Sequence, residues 1–201
     1  MSLQIALARM AELQQMFAPQ PVAKPAAAST QTFASTMQTT AAPGAMTPLT
    51  SASPAGTPAG QAILNAIRPE VGVAEQPPGS NDSPRIAQYR QATSGSGVGP
   101  WCAYFVSWAA RQASVPLGDS GQGFGRVDDV YAWAQKTGKA LPAGSTPAPG
   151  DLIVWDEHIG VVEGVDPDGT IHTIEGNSSD KVSQRTYGAD GGGAVGYVRL
   201  G

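Results

Sequence analysis

Between residues 18 and 59 the chain is built mostly from Ala, Pro, Thr, Ser and Gln, and Lys24 is the only charged residue from Ala18 to Thr57. A tract of this kind cannot bury enough apolar surface to offset the entropy of ordering it, so it reads as a disordered linker, semi-extended because of its prolines. The expected organisation has three parts. Residues 1–17 form an amphipathic helix, 18–59 a linker and 60–201 the folded domain. In the first part Leu3, Leu7, Met10, Leu13 and Phe17 share one helical face, with Ser2 as N-cap. So short a helix is marginal in water and its stripe needs a cover, either a partner protein in a docking or export role or its own domain, on which it would pack loosely. The same segment lacks the basic start and uninterrupted apolar run of a secretory signal.

Charge and cysteine usage exclude several classes. Twelve Lys plus Arg against sixteen Asp plus Glu give a net charge of -4, with no basic footprint for nucleic acid. No stretch approaches the roughly 20 apolar residues of a transmembrane helix. Cys102 is the one cysteine, which excludes an internal disulfide and any multi-cysteine metal site. A lone cysteine is more often a small buried hydrophobe than a nucleophile, so its surroundings decide.

Helical spacing of Ile63, Leu64, Ile67 and Val71 predicts a helix that Pro69 bends or ends. Ser83-Pro84 reads as N-cap and first residue of a second helix. After a glycine-rich loop over 94–100, residues 101–111 are apolar nearly all round, as in a buried helix. A fourth helix is expected over 127–137, closed by Gly138. Strands follow at 152–155, 158–165, 170–177 and 195–200, the middle pair joined by Asp166-Pro167-Asp168-Gly169. Those two carboxylates lack a full calcium-loop pattern and are read as a plain turn. Helices followed by strands indicate an α+β domain, with N-terminal helices packed on an antiparallel sheet.

Cys102 falls at the start of the buried helix, where the helix dipole favours negative charge on sulfur and free amides lie near any developing oxyanion. Two histidines, His158 and His172, compete to be its base. If Val165 faces Thr170 across the turn, His158 faces Asn177 and Gly160 faces Glu175. His158, Glu175 and Asn177 then share one face of the sheet, and His172 points to the other. A one-residue slip would undo this assignment. A strand histidine alone is usually an ordinary core or surface residue. Its coincidence with a same-face carboxylate and a helix-start cysteine favours a catalytic set.

These residues also form an ordered series of motifs. They are Trp101-Cys102-Ala103-x-Phe105-Val106-x-Trp108, Pro149-Gly150-Asp151-Leu152, His158-Ile159-Gly160-Val161-Val162-Glu163 and Ile174-Glu175-Gly176-Asn177. The series resembles the CHAP domains, cysteine- and histidine-dependent amidohydrolases/peptidases related to the NlpC/P60 group of the papain-like superfamily. The resemblance implies a papain-like fold, with Cys102 as nucleophile, His158 as general base and acid, Glu175 orienting His158, and Asn177 as a further polar site residue. It implies no metal or organic cofactor. It also implies peptidoglycan as substrate, cut as an N-acetylmuramoyl-L-alanine amidase or peptide endopeptidase, and hence an extracytoplasmic place of action. Among the tryptophans, Trp101 is the expected groove residue because it adjoins Cys102, and the loop over 78–82 is a weaker candidate. Two alternatives stay open: a wall-binding or assembly protein without catalysis, and a thiol hydrolase of a non-wall amide. The N-terminal segment suits a flagellar, phage-lysis or effector-type hydrolase, with association to flagellar assembly the most natural of the three.

Overall fold

The computed structural model describes residues 54–201; the expected helix over 1–17 and most of the expected linker lie outside the described residues. Helix α1 (Pro58–Ile67) is capped by Thr57, whose hydroxyl accepts from the Gly60 amide and donates to the Leu200 carbonyl at 2.6 Å. The expected helix over 63–71 is thus shorter at its end. Pro69 sits in a short 3-10 turn, Arg68–Glu70. Helix α2 (Pro84–Arg90) begins as expected, with Ser83 accepting from the Ile86 amide. Helix α3 (Cys102–Gln112) has nine buried residues in a row from Cys102 to Ala110, and α4 (Val127–Lys136) is amphipathic.

Six strands form one antiparallel sheet: β1 (Ala140–Pro142), β2 (Leu152–Val154), β3 (Ile159–Val165), β4 (Ile171–Glu175), β5 (Ser183–Tyr187) and β6 (Gly196–Val198). Their spatial order is β1-β6-β2-β3-β4-β5. The domain is α+β, helices on an antiparallel sheet, as the order of elements predicts. Helix α3 is its centre and packs against α1, α2 and β3. Tyr89, Trp101, Phe105 and Trp108 make successive ring contacts at 5.0–6.4 Å between the helices. The middle of the sheet is buried on both sides. Leu152, Val154, Ile159, Val161, Ile174 and Val198 join the core shared with the helices, while Ile153, Val162, Ile171, Ala194 and Tyr197 form a smaller cluster. That double burial explains why β2 reads as an unbroken apolar run rather than an alternation.

The β3–β4 hairpin sets the register of the site. At its turn Val165 pairs with Ile171 and Gly164 with His172, one residue away from the expected Val165–Thr170 pairing. The Asp166 amide donates to Thr170 and the Gly169 amide to Asp166, so the loop proper is Pro167-Asp168-Gly169. A bulge at Glu163 then takes up one residue, and beyond it Val162 pairs with Thr173 and Val161 with Ile174. This is the register the expected Val165–Thr170 pairing would have produced. The two departures cancel before the strands reach His158 and Glu175.

Candidate active site

Cys102 is the first residue of α3, and no side chain caps the helix start at Trp101. The first amides of a helix have no acceptor within it, so the end of α3 that carries Cys102 presents free N–H groups. The thiol is 4% exposed. Two glycines let the strand ends come close to it. A Cβ on Gly176, just beyond β4, would stand 2.6 Å from Phe105 Cβ and 2.9 Å from Trp101 Cζ3, so only glycine lets the first turn of α3 rest there. A Cβ on Gly160 would stand 2.6 Å from Glu175 Cγ, in the space the glutamate side chain needs.

His158 closes the tight turn between β2 and β3, where the Trp155 amide donates to its carbonyl at 2.8 Å. Its Nε2 lies 2.9 Å from Glu175 Oε2. Cys102 stands near enough to act on the ring electrostatically; with Nε2 committed to the glutamate, Nδ1 is the nitrogen left for sulfur. Burial opposes the charged ring, but the hydrogen bonds to Cys102 and Glu175 and their negative charge outweigh it, and the His158 pKa is pushed up to about 9. Trp155 stacks on the imidazole with centroids 5.5 Å apart, and its Nε1 donates to the Gly191 carbonyl.

Glu175 is 1% exposed and both of its oxygens are occupied. Oε2 faces His158, while Oε1 accepts from Thr173 Oγ1 at 2.5 Å and from the Tyr187 hydroxyl at 2.9 Å. Burial alone would raise its pKa; the hydrogen bonds from His158, Thr173 and Tyr187 more than offset this and hold it below the ordinary carboxylate value. The buried carboxylate is therefore anionic and fixed, able to hold a proton on Nε2 and leave Nδ1 free to act as a base toward sulfur. In turn it pushes the Tyr187 hydroxyl up to about 12, after burial.

The sequence-predicted residues are thus distributed unequally. His158 and Glu175 are hydrogen-bonded, and Cys102 stands beside the imidazole. Asn177 lines a hollow of about 470 Å³ together with His158 and Glu175. It is not the cross-strand partner of His158, because β4 ends at Glu175 and Asn177 turns away in the left-handed region at φ 58°. His172 is excluded by direction: its Nε2 pairs with Asp166 at 2.8 Å on the exposed side. Trp101 does not reach the groove. Its ring is fully buried and its Nε1 donates to Glu75 Oε1 at 2.9 Å, so adjacency to Cys102 in sequence places it beneath the thiol. The loop over 78–82 is held from inside by Glu75 Oε2, which accepts from the Asn81 amide, and it borders neither hollow at the site.

Sequence reasoning missed Thr173, Tyr187 and the stacking role of Trp155. Thr173 was open to discovery, since a residue two before Glu175 on a strand must share its face. Asp166 and Asp168 serve the turn: Asp168 Oδ1 accepts from the Thr170 amide. Among the described residues no group of three His, Cys, Asp or Glu side chains is arranged to hold a metal ion, and no helix is long and apolar enough to cross a membrane.

Residues 93–177 match the CHAP domain family. A crystal structure of an N-acetylmuramoyl-L-alanine amidase from Staphylococcus aureus is similar over 55% of this chain and 34% of its own, at 21% identity and a TM-score of 0.42. This chain thus spans about a third of that protein. No curated protein matches the sequence.

Proposed function

We propose that the domain is a thiol amidohydrolase of bacterial peptidoglycan, acting outside the cytoplasm as an N-acetylmuramoyl-L-alanine amidase or a peptide endopeptidase. The observation that carries this reading is the His158–Glu175 hydrogen bond beside Cys102 at the uncapped start of a buried helix, within the segment that matches the CHAP family. His158 Nδ1 takes the proton from Cys102, and the sulfur attacks the amide carbonyl. The oxyanion forms beside the first amides of α3, the Cys102 N–H foremost. The imidazolium gives its proton to the departing nitrogen, leaving a thioester on Cys102. Water, deprotonated by His158, hydrolyses that thioester and restores the thiol. Glu175 keeps the ring in the Nε2–H tautomer and compensates its charge, and Asn177 is a polar wall of the site. The residues present complete this chemistry without a cofactor.

A purely wall-binding role would not require a fully satisfied buried carboxylate behind a half-exposed imidazole. Digestion of purified peptidoglycan followed by mass spectrometry tests the proposal. The full-length protein is expected to generate one new amine and one new carboxyl terminus per cut, and Cys102→Ala none. Equal release by Cys102→Ala would overturn the mechanism. Binding to peptidoglycan without new termini would support the wall-binding alternative. Cleavage confined to non-wall amides would move the substrate assignment.

A further inference from the structure

Arg185 lies outside the matched CHAP segment, yet it faces the site. Its partner across β4 and β5 is Thr173, whose hydroxyl donates to Glu175. Tyr187, two residues further along β5, donates to the same carboxylate. Alternation along a strand puts positions 185 and 187 on one side, the side of Glu175. Arg185 accordingly lines the hollow of about 470 Å³ with His158, Glu175 and Asn177.

Its partners are unusual for a cation beside a catalytic carboxylate. Nε donates to Ser178 Oγ at 2.9 Å and Nη2 to Ser179 Oγ at 2.7 Å, both neutral. Among the described residues no carboxylate pairs with it, although Arg68, Arg85, Arg90 and Arg199 all have one. Two hydroxyls fix the fork, and its charge remains available to an anion from solution.

Chemistry assigns this hollow to one half of the substrate. His158 must hand its proton to the departing nitrogen, so the departing amine lies on the His158 side. The acyl half lies toward Cys102, where a second hollow is lined by Pro100, Tyr104 and Arg126. We propose that Arg185 recognises a free carboxylate on the departing peptide, close to its newly released amino terminus. The proposal deepens the thiol-hydrolase reading and rests on it for the direction of the substrate. A peptidoglycan stem peptide whose second residue keeps its carboxylate fits; the same stem with that carboxylate amidated lacks the partner.

Calorimetry with the full-length protein tests this on two synthetic peptides with amidated C-termini. Both are L-Ala-γ-D-Glu-L-Lys, with the glutamate α-carboxyl free in one and amidated in the other. The free form is expected to bind about tenfold more tightly, the usual scale for a charge-assisted hydrogen bond in a partly open site. Arg185→Gln should abolish the preference, and Arg185→Lys should keep part of it. Equal affinity for the two peptides, or no binding of either, would overturn the proposal. So would an equal loss for both peptides in Arg185→Gln, which marks a residue that only holds the 178–179 loop. Cleavage of peptidoglycan is scored separately. Carboxylate preference without Cys102-dependent cleavage would refute the hydrolase and leave Arg185 as a binding residue.

Discussion

Glu175 controls the site at the scale of single residues. A carboxylate 1% exposed survives as an anion only because three donors reach it, and its charge helps lift His158 to about 9. In the proposed mechanism the imidazolium is the proton donor to the departing amine, so the rate should fall as pH rises through about 9. Glu175→Gln removes the negative charge and the charge-assisted hydrogen bond that raise the His158 pKa. Its alkaline limb should therefore move to lower pH. The amide can also donate to Nε2 and stabilise the wrong tautomer, which should reduce kcat by about a hundredfold or more. A pH–rate profile with an unmoved alkaline limb would remove Glu175 from the relay. At this scale Cys102, His158 and Glu175 were legible in the sequence, because helix position and strand parity restrict them severely. Trp101 was misplaced for a physical reason. Neighbours on a helix start point in different directions, and its indole found a buried acceptor in Glu75 rather than the groove.

Secondary-structure elements bring the thiol and the imidazole together through contacts that admit no side chain. Gly176 is where the start of α3 lies against the end of β4, and a methyl there meets Phe105 Cβ and the buried ring of Trp101. Gly176→Ala should cost about 1–3 kcal/mol of stability by overpacking and lower kcat by moving Cys102 away from His158. Gly97→Ala is the control, since a Cβ at that position meets nothing within 4 Å. Denaturant melts and hydrolysis rates for the two variants check this; equal behaviour would mean the contact yields freely. The elements were unevenly legible. The long helices and β2, β3, β4 and β6 announce themselves by apolar runs and caps. β5, Ser183-Gln184-Arg185-Thr186-Tyr187, carries no apolar alternation because its outward residues are solvated and its inward ones serve Glu175 and the hollow. The bulge at Glu163 has no local signature either. Its side chain accepts from Arg68 and Gln184, contacts made by residues distant in the chain.

For the domain as a whole, the two ends of the described chain are tied to the sheet. Asp151, 3% exposed, precedes β2 and accepts from the Ala148 amide and from Arg199 Nε and Nη2 at 3.0 and 2.7 Å. Thr57 meanwhile binds the carbonyl of Leu200. Asp151→Asn leaves the guanidinium without its charge partner and should destabilise the domain by about 2–3 kcal/mol. That corresponds to a fall of roughly 5–10 °C in Tm for a domain of this size. Thermal unfolding measures it directly, and an unchanged Tm would show that Arg199 finds water at no cost. The Pro149-Gly150-Asp151 motif therefore closes the fold and does not enter the chemistry. The α+β class followed from the order of helices and strands, whereas this closure depends on residues 48 apart and could not be read locally.

One cysteine in 201 residues makes a single thiol measurement unambiguous. Alkylation of the full-length protein by iodoacetamide at pH 7, followed by intact-protein mass, reads whether His158 activates Cys102. The wild-type thiol should react at least about tenfold faster than that of His158→Ala, with Glu175→Gln between them. Equal rates in all three proteins would contradict a coupled Cys102–His158–Glu175 relay.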